Sequence, residues 1–477
     1  MSTRSDSRTP LPAVSTGLVA AVAVALAAGC SDRPPKGEPP DGHEIVRSPL
    51  VSPFDPDRAV EPPEDAASDE QYTVVKVYYA TDRAPQTWDE LLSARAATLY
   101  GLTLGTAVFT LLAAWFARRR ARAGRRKWHW RVLAVLGMAG LVVAGGLTVC
   151  AVFGFGPALV GLERTYGAER GELQRGFCEV SIPKHHQVGN LESPSVLRLE
   201  FREDPERHVT LHRVIPVDAE GFYADMRRCV AGSRGKEAFV FIHGYRVGFG
   251  EAARRTAQIA YDLKFDGAPI FFSWPSQEAL LQYTVDETNM TWAVPDLRAF
   301  LREVAEQSGA ESVHLIAHSM GNRGLGEALR ELAVEFRDRE PMFHQVVLTA
   351  TDVDADVFKR DIAPAIVKTA RRVTLYASSN DEALALSKRL HGYARAGDSG
   401  EGLIVVPGID TIDVSEVDTS LIGHSYYGDN GTVLADLFDL LRKGYPPAER
   451  RWLRAETLGQ LKYWIFERIA GKHRPEG

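Results

Sequence analysis

Short apolar runs alternate with helical patterns through the second half of the chain, and this alternation most constrains its fold. Brief apolar runs bounded by loops are typical of buried strands. Repeated strand–helix–strand units build a mostly parallel sheet flanked by helices. The sequence therefore predicts a domain of the α/β class. The strand runs lie at 238–242, 268–272, 313–316, 346–348, 373–376 and 409–413, and the helical patterns at 250–263, 297–307 and 324–336.

Four earlier runs predict strands of another kind. They lie at 72–79, 176–182, 196–201 and 209–215 and are separated by turns rather than by helical patterns. Strands joined without crossover helices are antiparallel. We therefore expect an antiparallel edge on the same sheet. The tail 451–469 mixes aromatic and charged residues at helical spacing, which predicts a helix packed on the body.

Composition excludes several classes of protein. Of the 477 residues, 45% are hydrophobic and 25% charged, which rules out a wholly disordered or fibrous chain. Four cysteines are too few for a disulfide scaffold, although Cys178 and Cys229 could pair. The segment 118–131 holds eight Lys or Arg residues and no acid. Removing those cations from a net charge of −6 leaves −14 for the remainder, which argues against nucleic acid as a partner.

The N-terminus has the features of a bacterial export signal over residues 1–29. Arg4 and Arg8 precede an apolar run at 18–28 that is too short to span a bilayer in the usual way. The run ends in Leu-Ala-Ala-Gly-Cys, which resembles a lipoprotein cleavage site with Cys30 as the lipidated residue. A plain signal peptide or an uncleaved anchor is the alternative. Residues 30–70 are rich in Pro, Asp and Glu and predict a disordered tether.

Two long uncharged segments, 96–117 and 132–162, predict a pair of transmembrane helices. Each exceeds the ~20 residues needed to cross the hydrocarbon core. The basic loop 118–131 between them should stay cytoplasmic by the positive-inside rule. Both ends of this hairpin then face the periplasm, in agreement with an exported N-terminus. The hairpin interrupts the enzyme domain between a first strand region at 71–95 and the body at 163–477.

The strongest chemical signal is Ala317-His318-Ser319-Met320-Gly321. It follows a strand run and precedes a helical pattern, which is the setting of a nucleophile elbow with Ala in place of the first Gly. Small residues permit the tight turn that exposes a serine hydroxyl beside a helix N-terminus. The alternative is a serine that only caps the helix. The strand–turn–helix setting favours a nucleophile.

A second signal is the His243-Gly244-Tyr245-Arg246 segment after the strand at 238–242. In hydrolases with such an elbow, the residue after this Gly and the residue after the nucleophile donate backbone N–H groups to the oxyanion. Tyr245 and Met320 are therefore the expected oxyanion-hole residues. We expect His243 to have a structural role in holding the loop.

The general base and the acid should come later in the chain, since these hydrolases order their triad Ser, acid, His. His424 follows the last predicted strand and is the expected base. Asp381 follows the strand at 373–376 and is the preferred acid, although it could instead cap a helix. Asp352 and Asp354, after the preceding strand, are rivals for the acid.

These residues together resemble a bacterial family of uncharacterised α/β-hydrolases that are esterase- or lipase-like. The resemblance implies the α/β-hydrolase fold and a triad of Ser319, Asp381 and His424, but no particular substrate. This chain departs from the family in carrying the membrane hairpin as an insertion. The matching stretches are Val77 to Arg83, Tyr166 to Gly171, Gly176 to Pro183, Phe241 to Tyr245, Ala317 to Asn322, Thr351 to Asp354 and Gly423 to Tyr426.

The sequence thus predicts a serine hydrolase of small or lipid esters, anchored in the bacterial inner membrane with its catalytic domain in the periplasm. No metal-ligand spacing and no phosphate-binding Gly loop occurs, so we expect no cofactor. The alternatives are a non-catalytic envelope binding protein of the same fold, or a transport or signalling accessory built around the hairpin.

Overall fold

The computed structural model describes the chain in several stretches. They are 71–86, 165–194, 203–279, 282–380, 391–416 and 431–466, with isolated residues at 200, 384, 387 and 388 and isolated helical residues between 101 and 142. The predicted signal peptide 1–29 with Cys30, the tether 30–70 and most of the hairpin 96–162 lie outside these stretches. In the described part of the chain, we find no helix with both the length and the apolar character to cross a bilayer.

Eleven strands form one sheet in the described residues. In space their order is β10-β11-β9-β8-β7-β6-β4-β5-β1-β2-β3. Along the chain they are β1 Tyr72–Gln86, β2 Thr165–Pro183, β3 Thr210–Val217, β4 Glu237–Ile242, β5 Ala268–Ser273, β6 Ser312–His318, β7 Phe343–Thr349, β8 Ala370–Ala377, β9 Ile409–Asp413, β10 Leu453–Leu458 and β11 Leu461–Phe466.

The centre of the sheet is parallel and its margins are antiparallel. From β1 through β5, β4, β6, β7, β8 and β9 to β11 every neighbouring pair is parallel. The pairs β1–β2, β2–β3 and β10–β11 are antiparallel. The predictions of a mostly parallel sheet with an antiparallel edge are thus confirmed.

Helices cover both faces of the sheet. They are α1 Ala219–Gly232, α2 Phe249–Asp262, α3 Tyr283–Gln307, α4 Gly321–Glu335, α5 Ala355–Val357, α6 Ala363–Thr369 and α7 Gly431–Lys443, with a π-helical turn Phe358–Ile362 between α5 and α6. In β4, Val240 and Ile242 pack in the core that includes α1, α3 and α4, whereas Phe239 and Phe241 pack with α2 and α7. Burial on both faces explains why the parallel strands are continuous apolar runs in the sequence.

Strands β1 and β2 extend beyond their neighbours as a two-stranded ribbon. The pairing of β1 with β5 ends at Thr81 and Ser273. The pairing of β1 with β2 continues to Gln86 and Thr165. Gln86 and Thr165, which flank the predicted hairpin in the chain, are therefore directly paired.

Three expectations from the sequence need correction or qualification. The tail forms the hairpin β10–β11 instead of a helix, and Gly459 at φ +63° lies at its turn. Helix α3 is longer than the predicted 297–307, since it begins at Tyr283 and continues through the exposed Pro295. Cys178 and Cys229 are both free thiols. The expected strand at 196–201 lies almost entirely outside the described residues.

Candidate active site

Ser319 lies in a sharp turn between β6 and α4, at the carboxyl edge of the sheet. Its φ is +50°, a left-handed conformation that is costly for a residue with a Cβ. Backbone hydrogen bonds with the surrounding structure offset the energetic cost of this conformation. The Ser319 amide donates to the carbonyl oxygen of Thr349 at 3.0 Å, which ties the turn to the end of β7.

The carbonyl of Ser319 is held as firmly as its amide. The Asn322 side chain donates from Nδ2 to the carbonyl oxygens of Ser319, at 3.0 Å, and Thr349, at 2.9 Å. The backbone amides of Asn322 and Asp352 also donate to the Ser319 carbonyl, at 3.1 and 3.4 Å. The position of Ser319 is thus determined by its backbone contacts.

Two glycines allow the turn to pack against the end of β4. A Cβ on Gly321 would lie 2.5 Å from the carbonyl oxygen of His243, closer than real Cβ contacts. A Cβ on Gly244 would lie 2.9 Å from Cβ of Ser319. The 243–248 loop therefore lies directly against Ser319. This contact brings the segment that carries Tyr245 beside the segment that carries Met320.

His243 holds the loop from inside the protein. Its Nδ1 lies 2.8 Å from the carbonyl oxygen of Gly244 and its Nε2 lies 3.2 Å from Ser273 Oγ. Its ring stacks on Trp274, whose indole N–H donates to the His243 carbonyl at 2.8 Å. Burial, together with the Arg83 cation, holds the pKa of His243 well below its ordinary value. The neutral ring then donates from Nδ1 and accepts from Ser273 at Nε2.

Arg83 connects the first strand to the loops around Ser319. Its fully buried guanidinium donates to Ser273 Oγ at 2.9 Å and to the Val247 carbonyl at 2.7 Å. It also donates to the carbonyls of Gly167, at 3.0 Å, and Ser276, at 3.2 Å. Burial lowers the pKa of Arg83 to about 10, so the group stays charged at neutral pH. One planar cation thus joins β1, β2 and the two loops that carry Val247 and Ser276.

Asp286 in α3 fixes the other side of the same loops. Its carboxylate accepts hydrogen bonds from Ser276 Oγ, at 2.6 Å, and from the Gln277 amide, at 2.8 Å. It also accepts from the amide of Arg246, at 3.4 Å, a residue with φ +62°. Burial raises the pKa of Asp286. These bonds hold the chain directly after Tyr245 in a conformation that it would not adopt by itself.

Asp352 lies close to Ser319 through its backbone, but its carboxylate is engaged elsewhere. It accepts from Ser387 Oγ at 2.5 Å and from the hydroxyl of Tyr283. It also forms ion pairs with Arg323, at 3.4 Å, and Arg395, at 3.5 Å. Burial, with the charge of Asp352, raises the pKa of Tyr283. The carboxylate therefore links α3, α4 and the 392–398 segment.

Asp354 has a local role. Its side chain accepts from the backbone amides of Asp356, at 3.0 Å, and Val357, at 3.1 Å, and so caps α5. Asp381 and His424 lie outside the described residues. In the chain, Asp381 follows β8, which ends at Ala377, and His424 falls between β9 and α7.

A buried carboxyl lies next to Arg83. Asp82 is inaccessible to solvent, and neither of its carboxyl oxygens has a hydrogen-bond partner within the described part of the chain. Burial and the nearby Asp296 of α3 raise the pKa of Asp82 to about 7, against the opposing charges of Arg83 and Arg170. The group is therefore close to half-protonated at neutral pH.

Sequence reasoning missed Arg83, Ser273 and Asp286. Each acts by holding a loop and does not belong to a five-residue pattern around the nucleophile. The one available signal was the position of a charged pair, Asp82-Arg83, at the end of an apolar strand. Phe271, Phe272 and Trp274 are fully buried and belong to the core.

The comparisons with known proteins agree with this geometry. Residues 219–442, from the start of α1 almost to the end of α7, match the family described as alpha/beta hydrolase of unknown function (DUF900). No curated protein matches the chain. The matched segment contains Ser319 and the 243–248 loop, and its similarity to this family supports an α/β-hydrolase domain and suggests hydrolase activity.

The contact at Gly321 leads to a first prediction. Gly321→Ala should lower the free energy of unfolding by about 1–3 kcal/mol, because the added Cβ would meet the backbone of β4. Urea unfolding of the full chain measures the change. Gly232→Ala is the matched control, since nothing lies within 4 Å of its added Cβ, and it should be neutral or slightly stabilising. Equal effects of the two substitutions would contradict the role assigned to the close approach.

Asp82 leads to a second prediction. Its folded-state pKa of about 7 lies above its ordinary 3.8, so the folded state loses stability as pH rises from about 4 to about 7. Asp82→Asn should match the wild type near pH 4 and exceed it by up to about 4 kcal/mol above pH 7. Unfolding curves across this pH range test the difference. Asp338→Asn, with a 90% exposed side chain, is the control and should leave the pH dependence unchanged.

Proposed function

We propose that this α/β-hydrolase domain is a serine hydrolase of carboxylic esters, with Ser319 as nucleophile, His424 as general base and Asp381 as the acid. The observation that carries the proposal is the conformation of Ser319. A serine that only capped α4 would need no left-handed φ, and such strain, of order 1–3 kcal/mol, persists mainly where function requires it. The tight packing of the 243–248 loop on Ser319 supports the same assignment.

In the proposed reaction, Ser319 Oγ attacks the ester carbonyl carbon while His424 accepts the hydroxyl proton. The backbone N–H groups of Tyr245 and Met320 stabilise the oxyanion that forms. Collapse of this intermediate breaks the carbon–oxygen bond, and His424 returns the proton to the departing alcohol. Water, activated by His424, then hydrolyses the acyl-enzyme and releases the acid. The chemistry needs no cofactor.

Asp381 is preferred as the acid because its two rivals have other partners. Asp352 is committed to Tyr283, Ser387 and two arginines, and Asp354 caps α5. An acid that orients the base must be able to accept its N–H. In the chain, Asp381 follows β8, the strand that comes after these residues.

We also propose that segments 96–117 and 132–162 anchor the enzyme in the inner membrane, with the hydrolase domain in the periplasm and Cys30 lipidated. The described helical residues support this anchor. Large apolar side chains recur at helical spacing on one face and are 47–70% exposed, which is unfavourable in water and suits lipid. They are Leu104, Val108, Leu111, Leu112 and Trp115, and Val135 and Val142 are similarly exposed.

The catalytic assignment predicts that a fluorophosphonate probe labels the wild type and that labelling disappears in Ser319→Ala. Ester hydrolysis should fall by several orders of magnitude in the same variant. The matched control is Ser312→Ala, at the opposite end of β6, which should keep both labelling and turnover. A folded wild type that neither reacts with the probe nor hydrolyses an ester would favour a non-catalytic binding protein of this fold.

The topology assignment predicts the location of the basic loop. A reporter enzyme that is active only outside the cytoplasm should be inactive when inserted at Gly124 and active when fused after Gly477. Replacing the eight cations of 118–131 by Gln should weaken this preference, because the positive charges set the orientation. A reporter that is active at Gly124 in the unaltered sequence would refute the proposed topology.

A further inference from the structure

The β1–β2 ribbon points away from the sheet at the edge that carries Ser319. Strands β1, β5, β4 and β6 are parallel, so their carboxyl ends lie together. Ser319 follows the carboxyl end of β6, and Gln86 is the carboxyl end of β1. The two described residues that flank the insertion, Gln86 and Thr165, therefore lie on the same side of the sheet as Ser319.

The separation between the ribbon and the nucleophile is short. Three strand spacings separate β6 from β1, which amounts to about 14 Å across the sheet. From Thr81, the last residue paired with β5, to Gln86, β1 rises by about 16 Å. The inserted segment thus begins within roughly 20 Å of Ser319, less than the ~30 Å thickness of a bilayer core.

The ribbon is fastened to the active-site loops on several sides. Arg83 joins Gly167 of β2 to the Val247 loop. The Gln277 side chain donates to the carbonyl of Ala168 at 2.9 Å. Arg170 donates from Nε to Asn289 of α3 at 2.9 Å, and Asn289 in turn donates to the Pro275 carbonyl at 2.7 Å. The ribbon and the loops around Ser319 are therefore one connected structure, and the ribbon fixes the direction in which the site faces.

We propose that the ribbon holds the active site against the bilayer surface and that the substrate is a long-chain ester carried in the same membrane. This inference rests on the proposed function and on the proposed anchor. An anchor that only retained the enzyme could be attached to any edge of the domain. Here its point of attachment, Gln86 and Thr165, is a braced stem at the carboxyl edge, so the proposal places that edge, with Ser319, next to the bilayer. An ester linkage at the bilayer surface is then presented at high local concentration and in a limited range of orientations.

The test compares two esters on the full-length protein reconstituted in phosphatidylcholine vesicles. One is a water-soluble short-chain nitrophenyl ester, and the other is a fluorogenic long-chain ester incorporated in the same vesicles. A spacer variant has twenty Gly and Ser residues inserted after Gln86 and again before Thr165, which keeps the anchor but removes the fixed orientation. We expect this variant to hydrolyse the soluble ester within twofold of the wild type and the vesicle ester at least fivefold more slowly.

A second variant keeps the test independent of how the spacers fold. Replacing residues 87–164 by Asn-Gly closes the ribbon with a two-residue turn, because Gln86 and Thr165 are directly paired. This variant should keep fluorophosphonate labelling and soluble-ester hydrolysis. It should hydrolyse the vesicle ester at least tenfold more slowly than the wild type does.

The outcomes separate the two proposals. If the ratio of vesicle-ester hydrolysis to soluble-ester hydrolysis is the same in the wild type and the spacer variant, the orientation proposal is overturned. A wild type that cleaves only the soluble ester would overturn it as well. A wild type that cleaves neither ester and takes up no probe would overturn the hydrolase proposal itself, and this one with it.

Discussion

The close approach of two backbones is the constraint on which the site depends. The end of β4 and the turn after β6 are in contact because Gly244 and Gly321 have no Cβ to separate them. This contact lets the parallel pairing of β4 and β6 continue to Ile242 and Ala317, directly beneath Ser319. The left-handed conformation of Ser319 follows from the same geometry, since the chain must reverse within two residues to begin α4.

A second layer of interactions holds the loops that this contact brings together. Arg83 and Asp286 are both buried, and between them they bind the chain at Ser273, Ser276, Gln277 and Val247. Neither is bonded to the other, and each satisfies its charge with backbone and hydroxyl groups. Such groups are fixed dipoles that do not reorganise, so the loops are held in place before any ligand arrives. His243 and Trp274 fill the space between these loops.

The same second layer extends to the ribbon, and so connects the ends of the inserted segment with the loops around Ser319. Arg83 belongs to β1, whose end leads into the inserted segment, and it contacts the loop that follows Tyr245. A change in the position of the ribbon would therefore be transmitted to the loop that follows Tyr245 through a few hydrogen bonds of Arg83. This connection explains why an insertion at this position is compatible with an intact domain: Gln86 and Thr165 are already paired when the inserted residues begin.

The amino-acid sequence by itself determined the local features. Apolar runs buried on both faces identified the parallel strands, and the small residues around Ser319 indicated the tight turn after β6, because both signals depend on neighbours in the chain. Tertiary structure decided what depends on distant residues. The tail, expected as a helix, forms a hairpin whose strand β11 pairs with β9. The carboxylate of Asp352 is bonded to buried partners from distant segments. Arg83 holds the loops around Ser319 because four segments of the chain meet at its guanidinium. Partners so far apart in the chain leave no periodic signal, since packing and charge compensation are decided when the elements come together.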